Sequence, residues 1–221
     1  MKVTFLIGSP KMGQSFSEKI LEMLQRNLKQ RNCIVDDSKI YNINRKPLSK
    51  EERDEICNSD VLVVAFPLYV DGIPGHLLEQ LTVLEKEFRS RDCHDLMLYG
   101  IINNGFIEGI QSRNAARMLE LFARRAGIRM GQILCVGAGE MTRMMLNMKI
   151  PFGKGPLSKM DHIYTTFLSN LSARKEGEML VMQPSYAGWI FRAMSASYFW
   201  KPAARKNGLS GKDLNRRIIP N

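Results

Sequence analysis

Five apolar runs, each followed by a stretch with helical periodicity, limit this chain to very few architectures. Lys2–Ile7 is a short apolar run, after which Phe16, Ile20, Leu21, Leu24 and Leu28 recur at the helical period. A weaker run, Ile34–Ile43, precedes a short polar helix over Lys50–Cys57 that Pro47 and Ser49 open. The Asp60–Ala65 run is continuously apolar after its first residue, as strands buried on both faces of a parallel sheet are. Pro74 suits the first turn of a third helix, whose buried face is Leu77, Leu78, Leu81, Leu84 and Phe88. Leu96–Ile102 is a fourth strand, and Ala115, Met118, Leu119, Phe122 and Ala126 mark a fourth helix closed by Gly127. Met130–Val136 is a fifth strand and ends in Gly137-Ala138-Gly139. Residues 140–157 read as irregular, and Ile163, Phe167 and Leu171 suggest a fifth helix. Alternation of this kind predicts an α/β protein with a parallel sheet and helices on both faces. In such sheets ligands bind beyond the carboxyl ends of the strands, where strand order reverses. Three loops at those ends, 8–17, 66–75 and 103–109, are rich in glycine, asparagine or hydroxyl residues and are expected to converge on one crevice.

The first of these loops is the most informative. A strand, a small polar loop and a helix start aim backbone N–H groups and a positive helix end at one spot, which suits a phosphate. Ser9, Ser15 and Ser17 offer hydroxyls, Gln14 an amide and Lys11 a cation. Ser15-Phe16-Ser17-Glu18 also fits a plain capping box, which needs no ligand. Gly8 and Gly13 stand where the glycines of a Walker A loop would, but Gln14-Ser15 follows them and the phosphate-reaching lysine is missing, which argues against a nucleoside triphosphatase. GxGxxG is absent, so a dinucleotide fingerprint is not supported. A hydroxyl-rich loop of this kind suits a terminal monophosphate such as that of FMN.

At 221 residues and 44% hydrophobic content, the chain can fill one substantial core with an extension. No apolar run is long enough for a transmembrane helix, and the N-terminal run is too short for a signal peptide, so a cytoplasmic protein is expected. Cys33, Cys57, Cys93 and Cys135 show no metal-ligand spacing and read as buried thiols; no metal is expected. The net charge of +10 permits anionic partners, but no nucleic-acid motif is present, and a solvated basic surface explains the charge. His76, His94 and His162 have neither ligand spacing nor a nucleophile nearby, and no catalytic triad or carboxylate pair is evident.

GSPKMGQS resembles the phosphate loop of the flavodoxin-like NAD(P)H-dependent FMN reductases, and PLYVDGIPGHL resembles that family's second flavin loop. The resemblance covers about residues 2–172. It implies a flavodoxin-like three-layer sandwich with a five-stranded parallel sheet in the order 2-1-3-4-5. Ser9, Lys11, Gln14, Ser15, Phe16 and Ser17 would surround the FMN phosphate. Pro67, Leu68, Tyr69, Val70, Asp71 and Gly72 would line the isoalloxazine, with Asn103, Asn104 and Gly105 at its other edge. Tyr69 and Phe106 are candidates for an aromatic face. Lys11 stands where the family commonly has arginine, and the compact cysteine cluster of its iron–sulfur members is absent. The implied activity is transfer of electrons from NADH or NADPH through FMN to a small acceptor such as a quinone or free flavin. A flavodoxin-type carrier, or a flavin-binding module without turnover, is the alternative. Flavin N5 carries such chemistry, so no catalytic side chain is required.

The expected division is a flavin-binding domain over 1–174 and a helical, basic extension over 175–221. Tyr186, Trp189, Ile190, Ala193, Met194 and Ser197 share a helical face, Pro202 is expected to end that helix, and a basic tail follows. Contact within a homodimer or homotetramer ranks first for this segment. Packing on the same subunit ranks second. A membrane surface ranks last, because few cations lie on the helix's polar face.

Overall fold

Three strands apolar on both faces stand at the centre of the sheet. They are β1 (Val3–Ile7), β3 (Val61–Pro67) and β4 (Met97–Asn103), and nearly every residue in them is buried. The computed structural model describes residues 1–11, 13, 15–33, 38–43, 46–91 and 93–216. Alternation along the strands divides their side chains between two layers. Leu6, Leu62, Val64, Leu98 and Ile102 join one core cluster with Ile56 of α2 (Lys50–Cys57), Leu77, Leu81, Leu84 and Phe88 of α3 (Gly75–Arg91), and Leu119 of α4 (Arg113–Ala126). Phe5, Val63 and Tyr99 are aligned in register and belong to the other layer. There Tyr99 meets Phe167 of α6 (Met160–Ser172) edge-on, with ring centroids 5.8 Å apart. Asn27 of α1 (Phe16–Gln30) bonds the Tyr164 hydroxyl at 2.9 Å and ties α1 to α6.

Among the described residues the sheet has six parallel strands in the order β2-β1-β3-β4-β5-β6, one more than the sequence pattern predicts. The fold is flavodoxin-like. β2 is only Ile40–Asn42, and the part of the predicted Ile34–Ile43 run at 34–37 lies outside the described residues. β5 is Arg129–Val136, and β6 (Leu180–Met182) pairs with it through Leu134↔Leu180 and Val136↔Met182. The sixth strand has a physical cause in two buried polar side chains. The Tyr99 hydroxyl donates to the Lys175 carbonyl at 2.6 Å, and the Gln132 amide donates to the Glu178 carbonyl at 2.8 Å. These bonds draw the chain leaving α6 back along β5, so the first compact unit runs to Pro184.

Residues 140–157 are not wholly irregular. α5 (Gly139–Asn147) opens that stretch, with Met141, Thr142 and Met145 on its buried face. The cysteines also depart from expectation: only Cys135 is buried, while Cys33, Cys57 and Cys93 are partly exposed.

Residues 185–216 form the described part of a second unit. Its helix α7 (Gly188–Ser195) passes through a π-helical turn, Ala196–Trp200, into α8 (Lys201–Lys206). Pro202 does not end the helix. It is the second residue of α8, directly after the π-helical turn.

Candidate functional site

β1 has β2 on one side and β3 on the other, so the strand order reverses at its carboxyl end. One crevice opens there. Ser9, Pro10, Lys11, Ser15, Phe16 and Ser17 line it from the first loop, Pro67, Leu68 and Tyr69 from the second, and Asn103, Asn104 and Gly105 from the third. The three predicted loops therefore meet. Two hydrogen bonds lock them together. The Ser17 hydroxyl donates to Asn103 Oδ1 at 2.9 Å, and the Leu68 N–H donates to the Asn103 carbonyl at 2.7 Å.

The hydroxyls of the first loop also hold its own backbone. Ser15 caps α1 by accepting from the Glu18 N–H at 3.1 Å, and Ser9 Oγ accepts from the Lys11 N–H at 3.3 Å. Ser15 thus makes its half of the expected capping box, and the same residue lines the crevice. Gln14 lies outside the described residues.

The second loop divides. Pro67, Leu68 and Tyr69 line the crevice, whereas Val70, Asp71 and Gly72 do not. Tyr69 and Gly72 exchange backbone hydrogen bonds of 3.0 and 2.9 Å, with Val70 and Asp71 as a two-residue tip. Both tip residues have positive φ, 45° and 58°, as a type I′ turn requires. Val70 is wholly exposed, and a β-branched residue fits this conformation poorly.

In the third loop, Asn104 spends its side chain on structure. Its Oδ1 accepts from the Phe106 N–H at 2.9 Å, and its Nδ2 donates to Ser112 Oγ at 2.9 Å. Phe106 is exposed and is not among the lining residues, so Tyr69 is the aromatic side chain of the second and third loops that borders the crevice.

Sequence reasoning missed Glu140. It stands in the first turn of α5 and lines the crevice, where it pairs with Lys11 Nζ at 3.0 Å and with Arg143 at 3.1 Å. Its signal was positional, since it comes directly after the Gly137-Ala138-Gly139 turn at the carboxyl end of β5. That turn is tightly fitted. Ala138 has φ 52°, and a Cβ on Gly139 would come within 2.8 Å of Asn103 Nδ2. Lys11 and Glu140 both line the crevice, while Arg143 lies outside its lining. Taken together, the crevice is lined by serine hydroxyls and Lys11 from the first loop, by the apolar Pro67, Leu68 and Tyr69 from the second, and by the Asn103 amide, which Ser17 bonds. Among the described residues no group of three or more His, Cys, Asp or Glu side chains is arranged to hold a metal.

A family model described as "flavodoxin-like fold" matches residues 1–79, the stretch that contains both GSPKMGQS and PLYVDGIPGHL. Solved structures are similar over most of the chain. An NADH:FMN oxidoreductase in its apo form superposes with a TM-score of 0.58 at 16% identity, covering 80% of this chain and 91% of its own. General stress protein 14 from Treponema denticola, solved in complex with FMN, gives 0.53 at 15% identity, covering 77% of this chain and 99% of its own. An NADPH-quinone reductase from P. pentosaceus gives 0.51 at 14% identity, covering 70% and 100% respectively. At these identities the likeness establishes the shared fold. A search of curated proteins finds no match.

Proposed function

We propose that this chain binds FMN in the crevice and is an oxidoreductase that passes electrons from NADH or NADPH to a small acceptor, such as a quinone or free flavin. The observation that carries the reading is the mixed polarity of the crevice: serine hydroxyls, Lys11 and a helix start from the first loop, and the apolar Pro67, Leu68 and Tyr69 from the second, with the Asn103 amide bonded to Ser17. FMN has the same polarity, an anionic phosphate tail and a flat apolar ring with polar edges. Bound FMN would supply the two-electron chemistry, taking a hydride from the nicotinamide and handing electrons on.

The chain's own residues would do the rest. Ser9, Ser15 and the backbone N–H groups at the start of α1, that of Ser17 among them, would hold the phosphate, aided by the helix dipole. Lys11 would face both this phosphate and Glu140, so the carboxylate sets how much positive charge the phosphate meets. Pro67, Leu68 and Tyr69 would support one side of the ring, and the bond from Ser17 would keep Asn103 turned toward its edge. Tyr69 is 48% exposed, which leaves an open side on which donor and acceptor can bind in turn.

Anaerobic mixing of the FMN-loaded protein with NADH or NADPH and a soluble quinone tests this reading. Nicotinamide should be consumed at a rate that requires both FMN and quinone. A flavin that binds but is reduced by neither nicotinamide would favour the electron-carrier reading. Failure to bind FMN would remove both.

A further inference from the structure

The second unit carries a helix that has almost no polar side. From Gly188 to Trp200, through α7 and the π-helical turn, Arg192 is the only charged residue. A helix that is apolar all round is ordinarily buried. Here no residue of either segment is buried, and Trp189, Tyr198 and Trp200 are each about 60% exposed or more. Cations follow directly on the aromatic residues. Lys201, Arg205, Lys206, Lys212 and Arg216 are all exposed. With Arg192 that makes six cations over 185–216 against one carboxylate, Asp213, which is held by the Ser210 hydroxyl at 2.6 Å.

Charge decides between the surfaces that could cover this helix. A second copy would bring the same excess of five positive charges onto the first, and such a contact is repulsive. An anionic lipid surface satisfies both parts of the segment at once. Tryptophan and tyrosine favour the membrane–water interface, and a cluster of Lys and Arg beside them is drawn to acidic headgroups. Among the described residues no helix is long and apolar enough to cross a membrane, so the helix would lie along the surface. The cations are not on the helix's polar face, where sequence reasoning looked for them. They stand at its C-terminal end.

We propose that residues 185–216 are a peripheral anchor for anionic membranes, with Trp189, Tyr198 and Trp200 at the headgroup level and Lys201, Arg205 and Lys206 against acidic lipids. This inference rests on the second unit alone and not on the flavin reading.

The chain's two tryptophans, Trp189 and Trp200, both lie in this segment, so intrinsic emission reports on it directly. The full-length protein is mixed with phosphatidylcholine vesicles, either pure or containing about a third phosphatidylglycerol. Emission should shift to the blue, and the protein should sediment with the anionic vesicles and not with the neutral ones. Binding should weaken as salt rises. The triple variant Lys201→Gln, Arg205→Gln, Lys206→Gln should bind about 100-fold more weakly, with unchanged emission in the absence of lipid. The proposal would be overturned by no shift with anionic vesicles, by equal binding to neutral ones, or by a lipid-free blue shift that grows with protein concentration alongside a doubled sedimentation mass. The last would identify a second copy as the partner. A shift with polyglutamate but not with vesicles would also overturn it, and would point to an acidic protein.

Discussion

Asn103 is the residue on which the crevice turns, because it bonds Ser17 and Leu68 from the other two loops and Gly139 presses against it. A methyl at Gly139 would force Asn103 aside, and Asn103 is backed by the buried β4 strand. Gly139→Ala should therefore weaken FMN binding at least tenfold while the chain still folds, as equilibrium titration would read; unchanged affinity would count against this role. Val70 offers the opposite case. A β-branched residue in the left-handed region costs of order 1–2 kcal/mol, and this one touches no crevice wall. Val70→Asn should raise unfolding free energy by about 1 kcal/mol and leave FMN affinity alone, since Asn tolerates positive φ. A loss of affinity would return Val70 to the site.

Glu55 gives a pH dependence. Its carboxylate accepts from the Tyr41 hydroxyl and pairs with Lys39 at 2.9 Å and Lys2 at 4.0 Å. The Tyr41 bond first, then Lys39 and Lys2, holds it below the usual carboxylate range, while burial pushes the other way. A carboxylate depressed in the folded state adds stability that is complete above its unfolded value of about 4.3 and is lost as pH falls through the lower folded value. Glu55→Gln should thus cost about 1 kcal/mol at neutral pH, a modest figure because the lysines are partly exposed. Denaturant titrations of the two proteins should converge as pH falls below the unfolded value of about 4.3, and a constant difference would contradict the assignment.

At the scale of elements, the sixth strand carries the main lesson. The continuous apolar runs at β1, β3 and β4 were readable because strands buried on both faces need apolar residues throughout. Leu180–Met182 was not, because three residues make no period and the strand is held by distant bonds from Tyr99 and Gln132. The first turn of α5 was missed for a related reason: Ala138 enters it in a left-handed conformation that gives no capping signal. Glu140 was lost with it. The crevice from Ser9 to Gly105 was legible because loop composition and topology point to the same place, whereas the strained tip at Val70 depends on a turn type that Val-Asp does not advertise. Truncation separates the two elements beyond α6. Removing 185–221 should leave the thermal midpoint of the remaining unit within a few degrees. Removing 175–221 as well takes away β6 and the partners of Tyr99 and Gln132, and should lower it by about 10 °C or more. Equal midpoints would show that β6 adds little to the sheet.

Over the whole molecule, two chemistries are kept on separate units. Residues 1–184 present a crevice at the switch point of a parallel sheet, and 185–216 present aromatic and basic residues. Residues 185–221 carry seven cations and one carboxylate, so they supply six of the ten net positive charges of the chain. Such a division suits an enzyme whose cofactor carries the reaction, because the sheet then needs only to bind and orient. The visible absorption spectrum of the FMN-loaded protein tests that central claim most directly, recorded anaerobically before and after NADH and then NADPH. The account predicts a bound-flavin spectrum that bleaches with at least one of them. A chain that takes up no FMN at all would contradict it.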